Sequence, residues 1–232
     1  RLEAFFLQAF GEYDLFFAGA QGARLIFGVA PVDKRLTVYV YRDKEQFKTH
    51  AKPPTEWAAG FYSGAAHASY FHQLDGRVSM EVLQHELTHQ ILAEFSAGQG
   101  PCWLIEGAAV YLDKAEFRDG ILTLGGPLEN REVAEYRANL RAGGKEHSFR
   151  AMLGFVSDKE WDGGDVAGNY RGAGALVAFL IHFDGGRYRG DFLDLLRDAY
   201  NEGSGSVEDY LGLSVDSLDF LMNRFYRECV LK

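Results

Sequence analysis

The sequence has few cysteines and few prolines, and it has no long apolar run. Its 232 residues include 2 Cys and 5 Pro, which excludes the disulfide framework that holds many small secreted domains together. Cys102 and Cys229 could form one disulfide, or each could be a small buried apolar residue. The richest apolar stretch, Ala173 to Phe183, is shorter than the roughly 20 residues that cross a bilayer. We therefore predict no membrane span in this chain.

Positive charge is also scarce. The chain has 24 Lys and Arg against 33 Asp and Glu, and the formal net charge is −9. An excess of negative charge opposes attraction to phosphate backbones and to anionic membrane surfaces. Nucleic acid is therefore not an expected partner.

What the chain does contain is ample material for a packed core, with 47% hydrophobic and 14% aromatic residues. Strand and helix patterns alternate in the first third, and amphipathic helices dominate the C-terminal half. No linker is long enough to separate independent domains. We expect one α+β domain over residues 1–232, with a small mixed-sheet lobe over about 1–95 and a mainly helical lobe over about 96–232.

Local patterns predict the individual elements. An apolar stripe from Leu2 to Tyr13 predicts the first helix, and Asp43 is expected to cap a short second one. A third helix is predicted from near Ser79 to about Phe95 and a fourth from Pro101 to Asp113. Further helices are predicted at 131–140, 170–183, 192–200 and 217–226. The predicted strands are 35–41, 66–73 and 121–124. Phe61 to Gly64 is predicted as a turn.

One short segment carries chemistry. His85-Glu86-Leu87-Thr88-His89 lies in a helical apolar pattern, and residues four apart on a helix share a face, so both imidazoles can reach one metal ion. Glu106 follows His89 by 106 − 89 = 17 positions on the next predicted helix. Two histidines and one carboxylate leave the fourth tetrahedral position of zinc open to water, which is typical of a catalytic site rather than a structural one.

The segments HELTH and PCWLIEGAAVYL resemble the gluzincin metallopeptidases, specifically the peptidase-MA-like domains, which use H-E-x-x-H and a downstream W-L-x-E-G. The likeness covers about 60–112. The later 170–177 is similar to the family's Y-x-x-A-x-x-L-V helix. The resemblance implies a zincin-like fold and one Zn²⁺ per chain bound by His85, His89 and Glu106, with Glu86 as general base. It slightly favours an extracytoplasmic location, in which case a signal peptide or anchor would precede Arg1.

The tetrahedral oxyanion of peptide hydrolysis needs a donor besides the metal. Tyr170 is the expected donor, because it follows Glu106 by 170 − 106 = 64 positions, a spacing similar to that in gluzincins of the aminopeptidase type. Its hydroxyl could equally belong to a buried hydrogen-bond network. Tyr111 and Tyr136 are weaker alternatives. Arg171 could bind a substrate carboxylate or the oxyanion, but pairing with one of the many acidic residues on the surface is the favoured interpretation.

Substrate binding is expected at an edge strand. Residues 66–73, immediately before the motif helix, are predicted to be that strand and to pair with an extended peptide. His67 and His72 lie in it and are left outside the metal site, because a lone histidine on a strand is more often a surface or hydrogen-bonded residue.

Three functions compete. The favoured one is a zinc-dependent metallopeptidase acting on a peptide or protein. The second is a non-catalytic module that binds a peptide or a cell-envelope partner on the same frame, although such a module would not need Glu86. The third is a structural zinc protein, which would need a fourth protein ligand. The region around Gly60 to Gly64 has no carboxylate for a substrate amine, so endopeptidase or specialised processing activity is expected rather than aminopeptidase activity. Oligomeric state is not predicted.

Overall fold

The computed structural model describes residues 37–94, 100–114, 116–118, 121–123, 126–155, 158–201, 203 and 205–228. The predicted N-terminal helix and Cys229, and with Cys229 the possible disulfide, lie outside the described residues. The chain divides into two compact units. Of the described residues, the first unit contains 37–94, 116–118 and 121–123, and the second unit contains the remainder.

The first unit is built on a small mixed sheet. Its elements, in chain order, are β1 (Thr37–Tyr41), α1 (Lys44–Ala51), β2 (Gly60–Ser63), β3 (Ala68–His72), α2 (Met80–Glu94), β4 (Glu116–Arg118) and β5 (Ile121–Thr123). The three-stranded sheet has the order β1-β3-β2. β1 runs parallel to β3, and β2 runs antiparallel to it. β4 and β5 form a separate antiparallel pair.

Local chemistry explains where α1 begins and ends. The Asp43 side chain accepts a hydrogen bond from the Gln46 N–H at 2.8 Å, which satisfies one of the backbone donors exposed in the first helical turn. Lys52 follows the last residue with φ 51, in the left-handed region that terminates many helices. The helix predicted after Asp43 is therefore confirmed.

The topology corrects two predictions. β3 pairs with a strand on each side, so the expectation that 66–73 forms an exposed edge strand is wrong. Among the described strands, β1 and β2 are the outer ones of this sheet. Phe61 to Gly64, predicted as a turn, instead contributes most of β2. The alternation of side chains identified β3 as a strand, but alternation carries no information about which strands lie beside it.

The helix with the histidine motif packs on one face of the sheet. Phe71 of β3 and Leu83 and Leu87 of α2 form the buried cluster between them. Gly60 allows β2 to lie close to this interface, because a Cβ at that position would come within 2.6 Å of the Phe71 ring and 2.9 Å of a Val82 methyl carbon.

The second unit is helical throughout its regular elements. They are α3 (Cys102–Leu112), α4 (Arg131–Arg141), α5 (Phe149–Leu153), α6 (Asp158–Trp161), α7 (Val166–His182), α8 (Arg189–Tyr200), α9 (Val207–Leu211) and α10 (Val215–Glu228). A short 3₁₀ turn, Phe183–Gly185, follows α7. The prediction of a mainly helical C-terminal half is confirmed.

The core of this unit is α7, which is buried continuously from Gly172 to Ile181. α3, α4 and α8 all pack against it. In the described part of the chain, none of the helices combines the length and the apolar run that crossing a membrane requires. The two units together show an α+β protein, as predicted.

Candidate metal centre

The two motif histidines lie side by side on α2. Their Nε2 atoms are 3.1 Å apart, and the ring centroids are 4.7 Å apart. Two nitrogens that each lie about 2.0–2.1 Å from a tetrahedral zinc ion are separated by roughly 3.3 Å. The pair in α2 therefore has close to the separation that binding one metal ion demands.

Glu86, the residue between them in the motif, points at β2. Its Oε2 atom accepts a hydrogen bond from the Tyr62 backbone N–H at 2.9 Å. A backbone donor on a strand has little freedom to move, so this bond fixes the direction of the carboxylate. The same bond occupies a backbone N–H of β2, an outer strand of the sheet among the described strands.

Glu106 lies in the middle of α3 in the second unit. Pro101 caps this helix in an extended conformation, and Trp103 and Leu104 bury its apolar side. Burial raises the pKa of Tyr200, and the negative charge of Glu106 raises it further. The carboxylate of Glu106 is therefore close enough to influence a tyrosine of α8.

The residue after Glu106 sets how closely α3 approaches α7. A Cβ at Gly107 would lie 2.6 Å from the Ala173 carbonyl oxygen and 2.8 Å from a Val177 methyl carbon. Because one contact is with backbone, a side-chain rotation cannot relieve it. Glycine after the glutamate is thus a packing requirement, which gives a physical reason for the E-G pair in the sequence motif.

Together these residues include a possible ligand set. His85 and His89 of the first unit and Glu106 of the second each offer one ligand atom of a kind that binds metal ions. All three residues are partly buried. Two imidazole nitrogens and a carboxylate oxygen are a donor set that suits zinc, so this group could bind a metal ion.

Tyr170 lies on α7 and is half-buried. Its ring packs edge-on against Trp161, with centroids 5.6 Å apart. The two alternative tyrosines are engaged elsewhere: the Tyr111 hydroxyl lies 2.8 Å from His182 Nε2, and the Tyr136 hydroxyl donates to the His147 carbonyl oxygen at 3.0 Å. Burial raises the pKa of both Tyr111 and Tyr136.

Arg171 forms an ion pair, as predicted, but its nearest partner is a buried carboxylate rather than a surface one. Its Nε lies 3.2 Å from an oxygen of Glu146, whose side chain is only 1% exposed. Asn139 also donates to this carboxylate, at 2.6 Å. The Arg171 guanidinium therefore forms an ion pair with a buried carboxylate in the second unit.

Sequence reasoning missed three residues around the motif helix. Gln90 and Ser69 are fully buried polar residues, and Tyr62 binds Glu86 through its backbone. The sequence does contain a signal for Gln90. It is a polar residue at helical spacing from Leu83 and Leu87, on the side of α2 that is otherwise apolar. A backbone contact such as that of Tyr62 leaves no signal in the sequence.

Comparison with protein-family models, with curated proteins and with solved structures gives no match to this chain. Any functional conclusion therefore depends on the residues themselves.

Proposed function

We propose that this chain is a zinc-dependent peptide-bond hydrolase of the gluzincin type, with a zincin-like fold. The observation that carries the proposal is the pair of motif histidines on α2, whose Nε2 atoms lie 3.1 Å apart. The sequence likeness of HELTH and WLIEG to gluzincins supports the same reading.

In this proposal His85, His89 and Glu106 hold one zinc ion and leave a fourth position open. Zinc bound in this way supplies Lewis acidity and lowers the pKa of bound water toward roughly 7. The 3.1 Å separation of the two Nε2 atoms supports the assignment of the histidines, because little rearrangement is needed for both to bind one ion.

Glu86 is the proposed general base. Its carboxylate takes a proton from the attacking water and returns it to the leaving amine, so one residue serves both half-reactions. The hydrogen bond from the Tyr62 N–H to Oε2 supports this role, since it fixes the direction of the carboxylate. Tyr170 is the proposed donor to the oxyanion.

The proposed activity is endopeptidase or specialised processing. An aminopeptidase needs a carboxylate that binds the substrate amine, and β2, in the region where such a motif would fall, has the sequence Gly-Phe-Tyr-Ser. Among the described strands, β2 is also an outer strand of the sheet, a position that suits an extended peptide better than a free amino terminus.

The first experiment measures zinc content by elemental analysis after dialysis against trace zinc. We expect about one zinc per wild-type chain and a sharp loss in Glu106→Ala. Glu135→Ala is the matched control, because this half-exposed glutamate of α4 only approaches Arg131, at 3.9 Å, and its loss should leave the zinc content unchanged.

The second experiment screens a peptide library for cleavage with Glu86→Gln as the comparison. We expect Glu86→Gln to keep its zinc and to lose at least about 100-fold in cleavage rate, the typical contribution of a general base. A wild-type protein without zinc would refute the proposal. Zinc binding without any cleavage would instead favour the non-catalytic binding module.

A further inference from the structure

Between α2 and the sheet, one amide is buried where an apolar residue would be expected. Gln90 and its partner Ser69 are both fully buried. Gln90 Oε1 accepts a hydrogen bond from the Ser69 hydroxyl at 2.8 Å. Its Nε2 donates to the carbonyl oxygens of Thr37 at 3.2 Å and His67 at 3.4 Å. Both donors and the acceptor of the amide are therefore used, which offsets the cost of burying it.

These bonds reach the start of the parallel pair formed by β1 and β3. Thr37 lies opposite Ala68 at the first position of that pair, and His67 directly precedes it with φ 50. One amide group thus ties α2 to two strands at once and to a residue whose backbone is in the left-handed region. Apolar contacts alone would be non-directional and would allow the helix to slide or rotate on the sheet.

Gln90 lies on the same side of α2 as Glu86, because the two are four residues apart. The Ser69 hydroxyl that binds Gln90 also lies 3.5 Å from the Glu86 carbonyl oxygen. The Glu86 side chain itself is held by Tyr62 of β2. β1, β2 and β3 therefore each make a polar contact with the same stripe of α2. His67, which directly precedes β3, makes another.

A helix rotates and slides as one body, so a group that fixes this stripe also fixes the direction of the neighbouring histidines. We propose that Gln90 is a positioning residue that, with Ser69, holds α2 in the rotation at which His85 and His89 converge on the metal. This inference rests on the proposed function. The spacing and identity of the metal ligands do not by themselves predict this role for Gln90.

The test compares zinc affinity and metal geometry in designed variants. Gln90→Met keeps an unbranched side chain of similar length and removes every hydrogen bond, and Ser69→Ala removes one. Zinc affinity is measured by competition with a chromophoric chelator. The visible absorption spectrum of the cobalt-substituted protein reports the geometry of the ligands.

We expect Gln90→Met to bind zinc at least about 10-fold more weakly than wild type, the usual effect of removing a group that orients metal ligands, and to show an altered cobalt spectrum. Ser69→Ala should change both in the same direction but less. The double variant should be no weaker than Gln90→Met, because the two residues act as one unit. Ser69→Thr, which keeps the hydroxyl, should restore most of the affinity.

The matched control is Tyr226→Phe, which removes a buried hydrogen bond from Tyr226 to the Ala175 carbonyl oxygen in the second unit. It should lower thermal stability without changing the cobalt spectrum. If Gln90→Met folds poorly, Ser69→Ala and Ser69→Thr provide the same comparison.

Wild-type zinc affinity and an unchanged cobalt spectrum in both Gln90→Met and Ser69→Ala would overturn this inference alone and leave the proposed function standing. Absence of zinc binding in the wild type would overturn the proposed function and this inference together.

Discussion

The two helices that carry the proposed ligands are held in their own units by different means. In the first unit, α2 is fixed to the sheet by hydrogen bonds from buried polar groups, chiefly those of Gln90. In the second unit, α3 is fixed to α7 by direct backbone approach at Gly107. Hydrogen bonds define direction, whereas close packing defines distance.

The difference shows how each helix can fail. α2 should tolerate changes in side-chain volume better than loss of polar partners, because its orientation depends on directional bonds. α3 should tolerate loss of individual polar groups but should not tolerate an added methyl group at its contact with α7. A glycine-to-alanine substitution made in each unit distinguishes these two ways of fixing a helix.

The largest effect is expected for Gly107→Ala. The new Cβ would lie 2.6 Å from the Ala173 carbonyl oxygen, so the two helices must move apart, at a cost of roughly 3 kcal/mol. We expect the thermal unfolding midpoint to fall by several degrees and zinc affinity to fall as Glu106 shifts. Differential scanning calorimetry with and without zinc measures both effects.

Gly190→Ala is the control for that change. Gly190 is also in a helix, α8, but nothing lies within 4 Å of the added Cβ. Alanine is the better helix former, so this variant should gain about 0.5 kcal/mol. Equal midpoints for Gly107→Ala and Gly190→Ala would show that close approach does not fix α3.

A smaller effect is expected for the corresponding change in the first unit, Gly60→Ala. Its Cβ would meet the Phe71 ring at 2.6 Å and a Val82 methyl carbon at 2.9 Å. Both neighbours are side chains, which can adjust, so a cost of about 1–2 kcal/mol is expected. Chemical unfolding followed by tryptophan fluorescence and circular dichroism measures it. A loss larger than that of Gly107→Ala would reverse the comparison between the units.

Sequence reasoning predicted what depends on local pattern. It placed a strand at β1, the cap at Asp43 and, as 170–183, most of the helix that the structure has at 166–182, because these follow from side-chain periodicity and capping chemistry. It misplaced the edge of the sheet, since strand order depends on pairing between distant segments. It also predicted β2 as a turn, because the Gly60 and Gly64 signals outweighed the two aromatic residues between them.

The site divides in the same way. The identity of His85, Glu86 and His89 as a functional group could be predicted from spacing, because a helix places residues four apart on one face. The support around them could not. Gln90 acts through two backbone carbonyl oxygens and a serine that is 21 positions earlier, and such contacts appear only when the strands and the helix are assembled.

The second unit also has a polar contact between α3 and α7, and a change to it should have the smallest effect. The Tyr111 hydroxyl lies 2.8 Å from His182 Nε2, at which a neutral imidazole can accept a hydrogen bond. Burial lowers the pKa of His182 below its ordinary value of 6.5, and the positive charge of Arg189 lowers it further. His182 is therefore expected to be neutral in the folded protein at pH 7.

The sign of the pH dependence follows from this shift. As the pH falls through about 6.5, the unfolded chain takes up a proton at His182 before the folded protein does, so the contribution of this group to stability is complete above that pH and is lost below it. His182→Gln keeps a hydrogen-bond acceptor but cannot titrate. Unfolding midpoints measured from pH 7.5 to pH 5 should therefore fall less steeply in the variant than in wild type. Parallel curves would show that His182 takes up its proton equally in both states, and the contact with Tyr111 would then make no pH-dependent contribution to stability.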